Sequence, residues 1–200
     1  MRPGYVLRFS RTERTIHWVN AVGFLLLLGT GLILYLPSLS ADVGRRPLIK
    51  DIHFWGGCGW VGALVSVAVL GDRRGLLRTA RELDVFARED VNWLRLRRPR
   101  EQARFNAGQK LNAALNAAFM VLFAVSGLLL FFGERDTRFR FASTVILHDG
   151  LMYVSLVLLL GHLYLALIHP TTRHALRGMV LGDVREDWAR KHHARWDTVD

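Results

Sequence analysis

Residues 146–170 read ILHDGLMYVSLVLLLGHLYLALIHP, an apolar run with histidines at 148, 162 and 169 and a proline at its end. From Gly150 to Thr172 there is no Asp, Glu, Lys or Arg, and a helix needs about 20 apolar residues to cross a bilayer. Residues 15–41, 52–71 and 111–133 have the same character. A soluble chain would have to bury four such helices with little amphipathic covering. The expected fold is therefore an all-α membrane protein, a four-transmembrane-helix bundle. Its spans should lie at about 14–36, 48–70, 106–132 and 144–169, with a loop at 71–105 and a tail at 170–200. No internal repeat is visible, and residues 1–200 read as a single integral membrane domain.

The net charge of +10 would fit a nucleic-acid binder, but its placement argues otherwise. The N-terminal segment, the 71–110 loop and the tail together hold 21 Lys and Arg, against 6 in the other two connections. Lys and Arg collect on the cytoplasmic side of membrane proteins, so both termini and the 71–110 loop are expected in the cytoplasm. A membrane-surface role accounts for the basic charge and leaves no call for nucleic acid. The first run is too long for a signal peptide and lacks a small-residue cleavage pattern, so it reads as a span. Cys58 is the sole cysteine, which excludes an intrachain disulfide and any cysteine-built zinc or iron–sulfur site.

Local signals mark the helix ends. Ser10-Arg11-Thr12-Glu13 has capping-box spacing, and Pro37 reads as a stop, followed by a short loop to Pro47. In the long connection, Leu76, Leu77, Ala80 and Leu83 recur beside Arg74, Arg78 and Arg81, as expected for a helix on the membrane surface. Trp93 and Leu94 suit the interface. The glycines of the first two spans allow either close helix packing or room for a flat macrocycle.

Four histidines carry the chemistry: His17, His53, His148 and His162. Imidazole is costly in hydrocarbon unless it binds something. His148 and His162 stand 14 residues apart, about 40° short of four whole turns and about 21 Å along one helix face. Depth pairs His53 with His148 on the outer side and His17 with His162 on the inner side. Two imidazoles at one depth on different helices are what a bis-histidine haem requires. Zinc fits poorly, because two histidines per level leave two positions unfilled. A lone histidine at a helix end is more often a packing residue; the paired depths favour ligation. His17 lies before its apolar run, so its helix must begin deep for it to meet His162. His169 and His174 read as headgroup-level residues, and His192 and His193 as contacts in the tail.

Four blocks then point to a family: Arg14-Thr15-Ile16-His17-Trp18, Phe105-Asn106-Ala107-Gly108-Gln109-Lys110, the His148/His162 pair, and Trp188 to Trp196. Across almost its whole length the chain resembles the gamma, cytochrome b subunit of respiratory membrane-bound formate dehydrogenases, within the wider di-haem cytochrome b561-like family. That resemblance implies two haem b groups, the outer held by His53 and His148 and the inner by His17 and His162. It also implies a quinone site near Asn106, Gly108, Gln109 and His162. Asn106 could hydrogen-bond a quinone carbonyl and Gly108 leave room for its ring, although Asn106 also reads as a plain helix cap. Lys110 reads as a headgroup anchor. The segment between the second span and the Asn-Ala-Gly block is shorter than in the family.

The implied partners are an iron–sulfur beta subunit and a molybdenum- or tungsten-containing catalytic alpha subunit, with membrane lipid around the chain. Formate oxidation would belong to the alpha subunit, while this chain passes electrons to quinone. The nearest alternative is a cytochrome b serving a hydrogenase or thiosulfate reductase. An alternative of another class is a histidine-relay transporter.

Overall fold

The computed structural model describes residues 3–98 and 101–196. In chain order the elements are β1 (Tyr5–Leu7), α1 (Arg11–Tyr35), α2 (Pro37–Val43), α3 (Arg46–Leu70), α4 (Arg73–Asp84), α5 (Arg88–Leu94) and α6 (Ala107–Gly133). There follow α7 (Ala142–Leu163), α8 (Leu176–Val180), β2 (Asp183–Arg185) and α9 (Glu186–His192). Helices α1, α3, α6 and α7, the last extended by a π-helical turn to Ile168, are long and apolar enough to cross a membrane. Their large apolar side chains face outward: Val22, Ile146 and Val157 are each about two-thirds exposed or more. That inverts the pattern of a soluble protein and matches helices solvated by lipid. The protein is an all-α multi-pass membrane protein.

The ends of the helices follow the local chemistry. Ser10 N–H donates to Glu13 Oε2 at 2.7 Å and Glu13 N–H donates to Ser10 Oγ at 3.2 Å, the reciprocal cap expected from the sequence. Pro37 behaves differently from expectation. It closes α1 but also opens α2, because its fixed φ and missing N–H suit the first helical position. The expected 37–47 loop is thus a short helix, ended by Gly44 at φ +63°. Pro47 is the second residue of α3, where its missing N–H forfeits no intrahelical bond, and α3 closes at Gly71.

The chain forms two compact units. The first comprises residues 1–14, 72–119 and 157–200. Here β1 and β2 pair antiparallel with Tyr5 opposite Arg185 and Leu7 opposite Asp183. Gly182, at φ +96°, turns the tail back so that its carbonyl accepts from Arg8 N–H at 2.8 Å and Phe9 N–H at 3.0 Å. Phe9, Phe105, Ala107, Val184 and Ala189 form the buried apolar core. Asp72 caps α4 by accepting from Gly75 N–H at 3.0 Å.

Buried polar groups tie this unit together. Arg104 donates to Arg8 O at 3.1 Å and pairs with Glu13 at 2.9 Å. Lys110 donates to Asp90 Oδ2 at 2.7 Å and to Val85 O at 2.8 Å. Asp90 Oδ2 also accepts from Ala87 N–H at 2.8 Å, capping α5. Asp90 and Lys110 are both buried, so Lys110 is an internal ion-pair partner and not the headgroup anchor its sequence position implied. An ammonium taken out of water needs a compensating charge, and Asp90 supplies it.

The second unit comprises residues 15–71 and 120–156. Trp60 lies across Gly23, where a Cβ would stand 2.2 Å from the indole Cδ1. Gly56 similarly admits Leu26. At the other end of the unit Phe54 and Phe131 stack at 3.5 Å with an interplanar angle of 6°. Tyr153 donates to the hydroxyl of Tyr35 at 2.6 Å, and Lys50 pairs with Glu134. Close approach through small residues is how helices gain van der Waals contact where no hydrophobic force separates them from lipid.

Candidate functional site

Within the second unit, α3 carries His53 and α7 carries His148. Their ring centroids are 6.2 Å apart and their planes meet at 69°. Each ring is held from a helix other than its own. His53 Nδ1 lies 2.8 Å from Thr30 Oγ1 on α1, and His148 Nδ1 lies 2.8 Å from Ser126 Oγ on α6.

The hydroxyl protons are already committed. Thr30 Oγ1 donates to Leu26 O at 2.8 Å and Ser126 Oγ donates to Leu122 O at 2.6 Å, each one turn back on its own helix. A hydroxyl has one proton, so each oxygen is left to accept from an imidazole Nδ1–H. In that arrangement Nδ1–H is each ring's donor, and Nε2 is the atom each can turn to a metal.

The glycine after each hydroxyl faces the same ring. A Cβ at Gly31 would lie 3.4 Å from His53 Cε1, and one at Gly127 would lie 3.6 Å from His148 Cε1. Bare backbone beside both imidazoles leaves their flanks uncrowded. Phe123 meets His148 edge-on at 5.1 Å.

His53 and His148 are the residues that would hold a haem here, offering one imidazole each. A first-row metal–imidazole bond is about 2 Å. Two such bonds and two ring half-widths come to roughly 6 Å, against the 6.2 Å found. No group of three or more His, Cys, Asp or Glu side chains able to hold a bare metal ion occurs among the described residues. The donor set is thus two imidazoles, which suits a macrocycle that supplies the rest of its metal's ligands.

The other two expected ligands fall in different units. His17 is on α1 in the second unit, in edge contact with Trp18 at 5.3 Å. His162 is on α7 in the first unit, two residues before the π-helical turn Tyr164–Ile168 begins. Such turns shift the face on which later residues emerge and are frequent at functional sites.

The residues expected around a quinone sit at the start of α6. Asn106 Oδ1 accepts from Gln109 N–H at 2.9 Å, and Gln109 Oε1 accepts from Asn106 N–H at 3.0 Å. The two side chains form a reciprocal helix cap. Gly108 has a different neighbour from the one expected: Trp93 fills the space, with its Cη2 3.2 Å from where a Cβ would stand. The indole expected at the membrane interface is folded against the α6 N-terminus.

Arg8 was not singled out by the sequence. It is almost fully buried and donates to Arg104 O at 2.9 Å and to His193 Nε2 at 3.2 Å. His193 in turn donates Nδ1–H to Ala103 O at 2.6 Å. Burial, with the positive Arg104 nearby, lowers Arg8 to about 10. Burial first, and the Arg8 charge second, push His193 down to about 4. Thr30 and Ser126 were missed as well. Their signal was present: a hydroxyl inside an apolar span needs a partner, and each precedes a glycine.

The sequence profile of the prokaryotic cytochrome b561 family matches residues 8–182. Among characterised proteins the chain is similar to the formate dehydrogenase cytochrome b556(fdo) subunit of Escherichia coli (strain K12). The two are 28% identical over 200 residues, covering 96% of this chain and 91% of the relative. The formate dehydrogenase cytochrome b556 subunit of Haemophilus influenzae (strain ATCC 51907 / DSM 11121 / KW20 / Rd) is 25% identical, over 96% and 82% of the two chains. The nitrate-inducible cytochrome b556(Fdn) subunit of Escherichia coli (strain K12) is 20% identical, over 96% and 89%.

Proposed function

The chain belongs to the prokaryotic cytochrome b561 family, and from that premise we propose that it is the membrane cytochrome b subunit of a formate dehydrogenase complex. In this reading it carries electrons inward across the bacterial inner membrane to quinone. The observation that carries it is the facing of His53 and His148, whose 6.2 Å separation and hydroxyl-held Nδ1 atoms suit bis-imidazole ligation. Near full-length similarity to three formate dehydrogenase cytochrome b556 subunits supports the choice of complex.

Two haem b groups are proposed. His53 and His148 would hold the outer one; His17 and His162, paired by depth in the sequence, would hold the inner one. Haem supplies reversible one-electron chemistry when bound, and the protein supplies ligation, spacing and a low dielectric. The quinone is placed on the cytoplasmic side, near Asn106, Gly108, Gln109 and His162. The Asn106–Gln109 cap leaves the Asn106 amide nitrogen as the group that can donate to a quinone carbonyl. Reduction there takes two electrons and two protons, and drawing the protons from the cytoplasm builds membrane potential.

Partners in this reading are an iron–sulfur subunit on the periplasmic side and a molybdenum- or tungsten-containing catalytic subunit that oxidises formate. Both termini, the 71–105 loop and the tail are assigned to the cytoplasm from their Lys and Arg content.

The test is haem stoichiometry by pyridine haemochromogen on the purified complex, with identification of the co-purifying subunits. Two haem b per chain and a formate-oxidising partner are expected. No b-type bands in a reduced-minus-oxidised spectrum overturns the cytochrome reading. A hydrogenase or thiosulfate reductase partner overturns the assignment to formate dehydrogenase.

A further inference from the structure

We infer that Thr30 and Ser126 are positioning residues for the His53/His148 site, each accepting Nδ1–H from one ligand and thereby setting its tautomer, its ring plane and the reduction potential of the iron it binds. The inference rests on the proposed haem at that site and adds a role for two hydroxyls.

The geometry repeats itself on both sides of the site. Thr30-Gly31 on α1 serves His53 on α3, and Ser126-Gly127 on α6 serves His148 on α7. Both hydroxyl-to-Nδ1 distances are 2.8 Å. Both hydroxyls back-bond to a carbonyl four residues earlier, 2.8 Å for Thr30 and 2.6 Å for Ser126. Packing alone does not call for this. A methyl-bearing side chain would fill the same space, and a hydroxyl away from water costs free energy unless both its capacities are used.

The chemical consequence follows from the proton count. With its proton on the backbone carbonyl, the hydroxyl cannot donate to Nδ1, so the ligand cannot adopt the Nε2–H tautomer that would block iron binding. An acceptor on Nδ1–H raises the basicity of Nε2 and so favours the oxidised iron. A neutral hydroxyl does this more weakly than a carboxylate would, and it brings no net charge into the apolar interior. Thr30 and Ser126 are both buried, so the low local dielectric strengthens both bonds.

The test is a redox titration with EPR of the oxidised protein, on the full-length chain in its complex, for the parent, Thr30→Val, Ser126→Ala and the double variant. Removing an acceptor should shift the outer haem toward the reduced form. The double variant is expected to change the oxidised-to-reduced ratio about tenfold at fixed potential, which is about 59 mV for one electron. The EPR anisotropy, which reads the angle between the ligand planes, should move with it. Thr30→Ser and Ser126→Thr should restore both signals. If Thr30→Val loses haem outright while Thr30→Ser keeps it, the hydroxyl is again the determinant. The inference is overturned if Thr30→Val and Ser126→Ala keep the parent potential and g values, or if Thr30→Ser loses haem as Thr30→Val does. His53→Ala serves as the control. Should it retain full haem content, the haem assignment fails at its root, a result distinct from any outcome at Thr30 or Ser126.

Discussion

Arg8 donates from its guanidinium to Nε2 of His193 at 3.2 Å, although 185 residues separate the two. His193 can accept there only while Nε2 is unprotonated, and its Nδ1–H is committed to Ala103 O at 2.6 Å. The contact joins the N-terminal segment, the residues just before α6 and the C-terminal tail, and it holds only while His193 is neutral.

That contact makes the tail acid-sensitive. His193 is held down to about 4 in the folded chain by burial and by the charge of Arg8, against about 6.5 when unfolded. Between those values the unfolded chain binds more protons, so stability is fully present above about pH 6.5 and falls as pH drops toward 4. The loss should be on the order of 3 kcal/mol. Hydrogen exchange at 183–196 should accelerate as pH is lowered through this window, after correction for intrinsic rates. His193→Gln should abolish the dependence.

Asp90 and Lys110 should be far costlier to separate than to remove together. Both are buried, with 2.7 Å between the charged atoms. Asp90→Ala leaves an ammonium without its carboxylate and uncaps α5, so a loss of about 3–5 kcal/mol is expected. Replacing both with apolar residues of similar volume should recover much of it. Thermal unfolding in detergent measures each variant, and a double variant as unstable as Asp90→Ala would contradict the account.

Gly23 has no room for a methyl group. A Cβ there would lie 2.2 Å from Trp60 Cδ1, so Gly23→Ala must displace the indole, at about 1–3 kcal/mol. Trp60→Leu in the same chain should relieve part of that cost. Gly29, with nothing within 4 Å of its Cβ position, is the control: Gly29→Ala should leave the melting temperature near that of the parent.

The proposed pairing of the inner ligands makes a spectroscopic prediction. His17→Ala and His162→Ala should each remove the same haem and leave the His53/His148 haem with its parent spectrum. His53→Ala and His148→Ala should give the complementary pattern. Reduced-minus-oxidised spectra of the four variants decide it: if His17→Ala and His162→Ala removed different haems, the pairing would be wrong.

Much was legible before the structure. Four charge-free runs announced four spanning helices, since length and charge alone set the cost of crossing a bilayer. The Ser10–Glu13 cap was readable because its partners lie three residues apart. Pro37 was half-legible. Its ring stops one helix, but whether another starts there depends on the residues that follow.

Other features were hidden because their partners are far along the chain. Gly108 reads as open space until Trp93, 15 residues earlier, is seen against it. Lys110 reads as an anchor until Asp90 is found beside it.

Four apolar helices long enough to cross a membrane, and the 14-residue spacing of His148 and His162, could be read from the chain alone. Hydropathy and helical spacing are properties of consecutive residues, so they need no partner to be read. How His53 and His148 are held came from the packing of the helices. The Thr30–His53 and Ser126–His148 hydrogen bonds cross between helices, joining residues 23 and 22 positions apart. Which nitrogen of each imidazole keeps its proton depends on where a neighbouring helix places one hydroxyl oxygen, and no local pattern in the sequence encodes that.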